Sequence, residues 1–354
     1  MSKKIVKLAF VGVGGMGQMA HLRNYASLPG ECEIIALAEV RPELGRRVAA
    51  RYGVPKVYVN HEELLANEKP DAIVAAQPFE RHGILVPELA RAGVPLFTEK
   101  PIANSLAAGE RIVKALEENR TWLMVGYHKR SDPAAEYVKK TVEALKQSGE
   151  LGKLRYVRVI MPAGDWQAGG FNDLLHSSEK SAIPLAPFEP PDADMDEPTY
   201  RQYNSFVNYY IHQVNLLRFL LGEDYAVSHA DPSGVLLVAR GKSGVTGVIE
   251  MSPYQTKLDW HEAALVAFER GYVKLHLPPP LASLRAGTVE ILRSPADGEQ
   301  VLLSPTMPPV HAMRNQALNF IKAVRGEAPA PCLAPEALAD IKIARDYIRL
   351  LKGN

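Results

Sequence analysis

The first third of the chain alternates short apolar runs with helix-like stretches. Leu8–Val11, Glu33–Ala38, Val57–Val59, Ala72–Ala76, Pro95–Thr98 and Trp122–Val125 are the apolar runs. Gln18–Ser27, Glu43–Tyr52, Glu62–Leu65, Arg81–Ala92 and Ser105–Asn119 fill the gaps, with Pro42, Gly53 and Gly93 at helix starts and stops. A continuous apolar run such as Ala72–Ala76 reads as a strand covered on both faces. Strand and helix in turn predict a parallel sheet with right-handed crossovers.

The rhythm changes after Arg130. Asp132-Pro133 opens a helix running to Gly149, followed by a strand at Leu154–Ile160. The segment Pro162–Tyr203 carries clustered glycines, prolines and acids and is expected to be a long loop, a lid or a substrate-specificity segment. Gln213–Leu221 reads as a helix stopped by Gly222. Strands are expected at Val235–Arg240, Val245–Met251, Ala263–Phe268, Tyr272–Leu277, Val289–Arg293 and Val301–Ser304, with links short enough for an antiparallel sheet. Helices Ala312–Val324 and Pro335–Leu351 finish the chain. The expected bounds are a dinucleotide-binding domain over 1–126 and a substrate-binding and oligomerisation domain over 127–354.

In such sheets, ligands bind at the carboxyl ends of the strands. After the first strand comes Gly12-Val13-Gly14-Gly15-Met16-Gly17. Gly12 permits the tight turn, Gly14 a close approach of backbone to a pyrophosphate, and Gly17 close packing of helix on strand. The helix start adds free N–H groups and a positive dipole end. Glu39 closes the second strand, about twenty residues on, where a carboxylate accepts the ribose hydroxyls of an adenosine. That favours NAD, while Arg41 nearby leaves NADP open.

Two further constellations carry chemistry. Glu99-Lys100-Pro101 follows a parallel strand, and a lysine there can stabilise a developing alkoxide. His212 is suited to take a proton from an alcohol near neutral pH, and the i, i+4 spacing places Asn208 on its face. His128 is a candidate for binding a substrate hydroxyl and Trp166 for stacking on a sugar ring; each reads equally as packing.

Composition narrows the partners. The 354 residues have a formal net charge of +1 and no long apolar run, giving no reason to invoke nucleic acid or a membrane. Two cysteines imply no disulfide framework, and the histidines lack metal-site spacing, so no metal is expected. The start lacks a signal peptide's apolar core, and a cytoplasmic protein is expected.

Taken together, GVGGMG at Gly12–Gly17, Glu39, Gln77-Pro78-Phe79-Glu80-Arg81-His82, EKP at Glu99–Pro101, GYHKR at Gly126–Arg130 and the run Asn208–Gly222 resemble the glucose–fructose oxidoreductase / inositol dehydrogenase / MocA family over nearly the whole chain. The resemblance implies a Rossmann domain followed by an α/β domain whose large, open, mostly antiparallel sheet packs subunit on subunit. It implies hydride transfer between NAD(P) and a hydroxyl-bearing carbon of a sugar, cyclitol or related compound, with Lys100 and His212 flanking that carbon. Gly12, Gly14, Gly15, Met16, Gly17, Glu39, Arg41, Gln77, Pro78, His82, Glu99 and Lys100 are the expected cofactor residues, and Asn208, His128 and Trp166 the expected substrate residues. The family helix usually reads Asp-x-x-x-His; here Asn208 holds the first position. Two alternatives stay in play: glycoside cleavage by transient oxidation and elimination, as in some members of the family, with the Pro162–Tyr203 loop enclosing a larger glycoside, and a non-catalytic dinucleotide sensor, which the Asn208 departure suggests.

Overall fold

The computed structural model describes residues 3–169 and 172–353. The described residues divide into two compact units. Unit 1 comprises 1–127, 170–200 and 316–341; unit 2 comprises 128–169, 201–315 and 342–354. The contiguous bounds expected at 126/127 are thus not the observed ones, because later segments return to the first unit.

Unit 1 holds β1 (Val6–Val11), β2 (Cys32–Ala38), β3 (Val57–Tyr58), β4 (Ala72–Ala75), β5 (Leu96–Thr98) and β6 (Leu123–Val125), in the order β3-β2-β1-β4-β5-β6. Every pairing is parallel, as the apolar runs predict. Between the strands lie α1 (Arg23–Ala26), α2 (Pro42–Tyr52), α3 (His61–Asn67), α4 (His82–Ala90) and α5 (Leu106–Glu118). A π-helical turn, Gly17–Leu22, precedes α1. Pro42 opens α2 and Gly53, at φ +67°, closes it, matching the sequence signals.

Unit 2 holds α6 (Pro133–Ser148), β7 (Leu154–Ala163), α8 (Ile211–Leu221), β8 (Tyr225–Ala230), β9 (Leu236–Gly241), β10 (Thr246–Gln255), β11 (Glu262–Phe268), β12 (Gly271–Leu277), β13 (Thr288–Arg293) and β14 (Val301–Leu303). The eight strands run β14-β13-β12-β11-β7-β10-β9-β8. Only β7 and β10 pair in parallel, so the sheet is mostly antiparallel. Burial alternates along it: Val157, Val159 and Met161 of β7 are buried while Tyr156, Arg158 and Ile160 keep some exposure. Helix α8 packs on β7 and β10, and α6 on β12.

Three features differ from expectation. Strand β8 was not foreseen; it is the sheet edge, where only its two end residues are buried and no apolar face shows in the sequence. Helix α7 (Glu197–Tyr209) rises from the expected loop. Its signal was present: the Asp196 carboxylate accepts from Thr199 N at 2.9 Å, and Pro198 sits in the first turn. Tyr210 separates α7 from α8, yet its N donates to Phe206 O at 2.7 Å and its O accepts from Val214 N at 3.2 Å, so the helical turn carrying Asn208 runs on into the one carrying His212.

Helix α9 (Ala312–Val324) explains part of the return to unit 1. Its Phe320 ring is fully buried against Tyr25 (6.4 Å between centroids), Phe97 (5.7 Å) and Trp122 (5.8 Å), all edge-on. Helix α10 (Ala334–Leu351) completes the fold. Phe320→Ala is expected to destabilise unit 1 by about 3–5 kcal/mol, read from the urea midpoint.

Candidate functional site

The glycine turn follows β1. Gly12 sits at φ +91°, and a Cβ there would meet Gln77 Nε2 at 2.4 Å and Ala76 O at 2.6 Å. At Gly17 a Cβ would meet Gly12 O at 2.6 Å. Both glycines are therefore required by the turn itself. Gly14 is different: a Cβ there would meet nothing nearer than Arg41 Nη2 at 3.7 Å. Its bare, half-exposed surface, beside the exposed Gly15 and half-exposed Met16, is a cradle that a side chain would fill. The residues thus fit a dinucleotide, whose pyrophosphate needs backbone contact at that turn.

Glu39 is buried at the end of β2. Its Oε2 accepts from Val13 N at 3.0 Å; its Oε1 accepts from Arg41 N at 3.2 Å and Arg41 Nε at 2.6 Å. The acid and base that pointed to opposite cofactors are therefore bonded to each other, with Arg41 the more exposed partner.

Glu99 and Lys100 follow β5. Glu99 is buried, and its Oε1 lies 2.6 Å from Nε2 of His21, a buried residue of the π-helical turn. The other carboxylate oxygen accepts from Lys100 N at 3.2 Å. Burial pushes the Glu99 pKa up, but the His21 hydrogen bond and charge, with the Lys100 ammonium, bring it below its ordinary value. Lys100 itself is half-buried. His82 has no exposed surface: Nδ1 lies 3.1 Å from Ile102 O, and Nε2 lies 3.1 Å from both Gln77 O and Thr98 Oγ1. Burial lowers its pKa. The ring braces the Gln77 turn against the loop after Lys100, so direct contact with a cofactor, expected for His82, gives way to support. Gln77 is half-buried and Pro78 exposed.

In unit 2, nine of the eleven α8 residues are buried, and His212 is one of the two that are not. His128 meets it edge-on, ring centroids 4.6 Å apart. The residues after His128 hold this helix. Lys129, buried, donates to Glu262, which also accepts from Gln213 Nε2 at 2.7 Å and Trp260 Nε1 at 3.2 Å. Arg130 Nε donates to Asn215 Oδ1 at 2.5 Å. Trp166 is half-buried, its carbonyl accepting from Leu281 N at 3.2 Å, and Asn208 is exposed on α7. Thus the structure joins His128 to His212.

Sequence reasoning missed His21 and Glu262, and met Lys129 only as part of the GYHKR run. Of these, His21 had a signal, four residues past Gly17 on the element that the turn opens. Among the described residues, the group of potential metal ligands is His61, Glu62 and Glu88. The carboxylates face opposite ring nitrogens, Glu62 at 3.4 Å from Nδ1 and Glu88 at 3.1 Å from Nε2.

A turn shaped for a pyrophosphate and a buried acid at the second strand's end define a dinucleotide-binding site. Residues 6–127 match the model of an oxidoreductase family with an NAD-binding Rossmann fold. An inositol 2-dehydrogenase of Rhizobium meliloti is 25% identical over 96% of each chain, and the rhizopine catabolism protein MocA of that organism is 25% identical over 98% of this chain and 95% of its own. Residues 6–127 thus carry the NAD-binding domain of that oxidoreductase family, and the chain is similar to these two relatives along nearly its whole length. Solved structures share the fold: a putative NADPH-dependent oxidoreductase from Desulfitobacterium hafniense (TM-score 0.77, 14% identity, 99% of this chain and 96% of that one) and a levoglucosan dehydrogenase with NADH and levoglucosan (0.71, 16%, 99% and 98%). No helix among the described residues is long and apolar enough to cross a membrane.

His21→Leu would leave the Glu99 carboxylate buried without its partner. The expected cost is about 3–5 kcal/mol near neutral pH. Glu99 has a depressed folded pKa, so its contribution is present above the unfolded glutamate value and lost as pH falls through the lower folded one. Denaturant titrations of both proteins across that acid range should converge.

Proposed function

We propose that this chain is a cytoplasmic NAD(P)-dependent dehydrogenase of a sugar, cyclitol or sugar derivative, oxidising a CH–OH group. The observation that carries the reading is the Glu39 carboxylate, buried at the end of β2 and bonded to the glycine turn at Val13 N. It supports a nucleotide site whose acid and turn are already in place. The inositol dehydrogenases and the levoglucosan dehydrogenase among the related proteins support the substrate class. Bound nicotinamide supplies the hydride acceptor. Gly12–Gly17 hold the pyrophosphate, Glu39 the adenosine ribose, and Gln77 and Pro78 line the turn beyond β4. Lys100 stabilises the alkoxide that develops on the substrate oxygen, oriented through its own backbone by Glu99. His212 accepts the proton. Asn208, His128 and Trp166 bind the substrate.

The decisive experiment is turnover of a cyclitol and aldose panel with NAD+ and NADP+, followed by NADH or NADPH absorbance. Lys100→Ala and His212→Ala are each expected to lower kcat by roughly 10²–10⁴-fold, the range for loss of a positioned proton-transfer or charge-stabilising group. Wild-type rates in either variant would remove that residue from the mechanism.

The face of the eight-stranded sheet bearing Tyr156, Ile160, Val248 and Leu265 is the proposed homo-oligomer interface, since these positions alternate with the buried ones. Sedimentation should show an oligomer, and Val248→Arg should shift it toward the monomer.

A further inference from the structure

Residues 172–192 form a strap along the turns of unit 1. At the glycine turn, Gln18 Oε1 accepts from Leu175 N at 3.1 Å, while Gln18 Nε2 donates to Leu175 O at 3.0 Å and to Val13 O at 2.9 Å. Beyond β2, Ala182 N donates to Val40 O at 2.7 Å. Beyond β4, Arg81 Nε donates to Ala186 O at 2.8 Å and Glu189 N to Glu80 O at 2.9 Å. At the start of α5, Asp192 accepts from Leu106 N at 3.0 Å and Ala107 N at 3.3 Å. The strap therefore visits the turns after β1, β2 and β4, where this type of sheet binds its ligand.

One side chain of the strap reaches the start of α2. Glu179 Oε2 accepts from Glu43 N at 2.9 Å and Leu44 N at 3.3 Å. Its position is built: Ser177 Oγ accepts from Glu179 N at 3.0 Å, and the strap carbonyls of His176 and Asp173 are held by Arg47 and Arg51 of α2. The N-cap of α2 is Arg41, itself bonded to Glu39. In this fold a ribose is recognised at the end of β2, by an acid for a free 2′-hydroxyl or by an arginine for a 2′-phosphate.

We propose that Glu179 is a specificity-determining residue of the dinucleotide site, excluding a ribose 2′-phosphate and setting NAD above NADP. The proposal rests on the dehydrogenase reading above. Glu179 takes the first-turn N–H groups of α2 that an arriving phosphate would use. Glu39 already engages the Arg41 guanidinium, and Glu179 adds a second carboxylate at the start of the helix that Arg41 caps. A 2′-phosphate would lose its donors and meet like charge; a 2′-hydroxyl would do neither.

The test is nucleotide binding by isothermal titration calorimetry on the full chain without substrate. The wild type is expected to bind NAD+ at least about tenfold more tightly than NADP+, and ADP more tightly than adenosine 2′,5′-bisphosphate by a similar factor. Glu179→Gln removes the charge and keeps the side chain's size; it should tighten NADP+ by about tenfold and move NAD+ by less than about threefold. Glu179→Asp should keep the wild-type preference. Equal affinities in the wild type, an unmoved NADP+ affinity in the Gln variant, or equal tightening of both nucleotides would overturn the proposal and leave the dehydrogenase reading standing. Binding of neither nucleotide by the wild type would overturn both.

Discussion

The nucleotide unit depends on a carboxylate that has been taken out of water. Burying a charge costs several kcal/mol unless donors replace the lost solvent. Glu39 recovers that cost through Val13 N, Arg41 N and Arg41 Nε. Val13 lies inside the glycine turn and Arg41 caps α2, so one side chain ties the first turn to the second strand and the second helix. The turn can hold this shape because Gly12 adopts φ +91°, where a side chain would be strained and would collide with Gln77. The ligand-binding edge is thus organised before a ligand arrives, which is what tight positioning of a reactive ring demands.

The same logic recurs after β5 and in unit 2. Glu99 is buried with His21 as its partner, so the backbone that carries Lys100 is held from the element that the glycine turn opens. In unit 2, Lys129 and Glu262 form a buried pair with Gln213 and Trp260 as further donors. A buried ion pair is weak evidence for stability but strong for geometry, because breaking it strands a charge. Gln213 is the neighbour of His212, so this network fixes the segment of α8 from which the imidazole projects.

The parallel sheet was legible because strands covered on both faces must be apolar throughout, as Ala72–Ala75 is. Glycine turn, acid and EKP were legible because each follows such a strand. The strap was not, because much of its hold on unit 1 is made by backbone carbonyls and amides: Leu175, Ala182 and Ala186 bond through their main chains and carry no pattern of their own, and the Glu179 and Asp192 carboxylates meet backbone N–H groups far away in sequence. Helix α7 hid for a related reason, since only Tyr203, Phe206 and Val207 of its residues are buried. His21 was overlooked because its partner stands 78 positions away; buried charge pairs of that kind are a product of topology.

The ring contact between His128 and His212 changes the weight of the departure at position 208. On one continuous helix, an aspartate four residues before His212 would sit within reach of the ring and raise its basicity, so an amide there reads as a loss. In this chain α7 ends at Tyr209 and α8 begins at Ile211, with Tyr210 between them bonded through its N to Phe206 O and through its O to Val214 N. What does stand against the His212 ring is His128, whose own segment is anchored through Lys129 to Glu262 and through Arg130 to Asn215. The proposed proton acceptor is therefore supported by the opening residues of unit 2. Because that support does not run through position 208, an asparagine there does not by itself argue for lost chemistry.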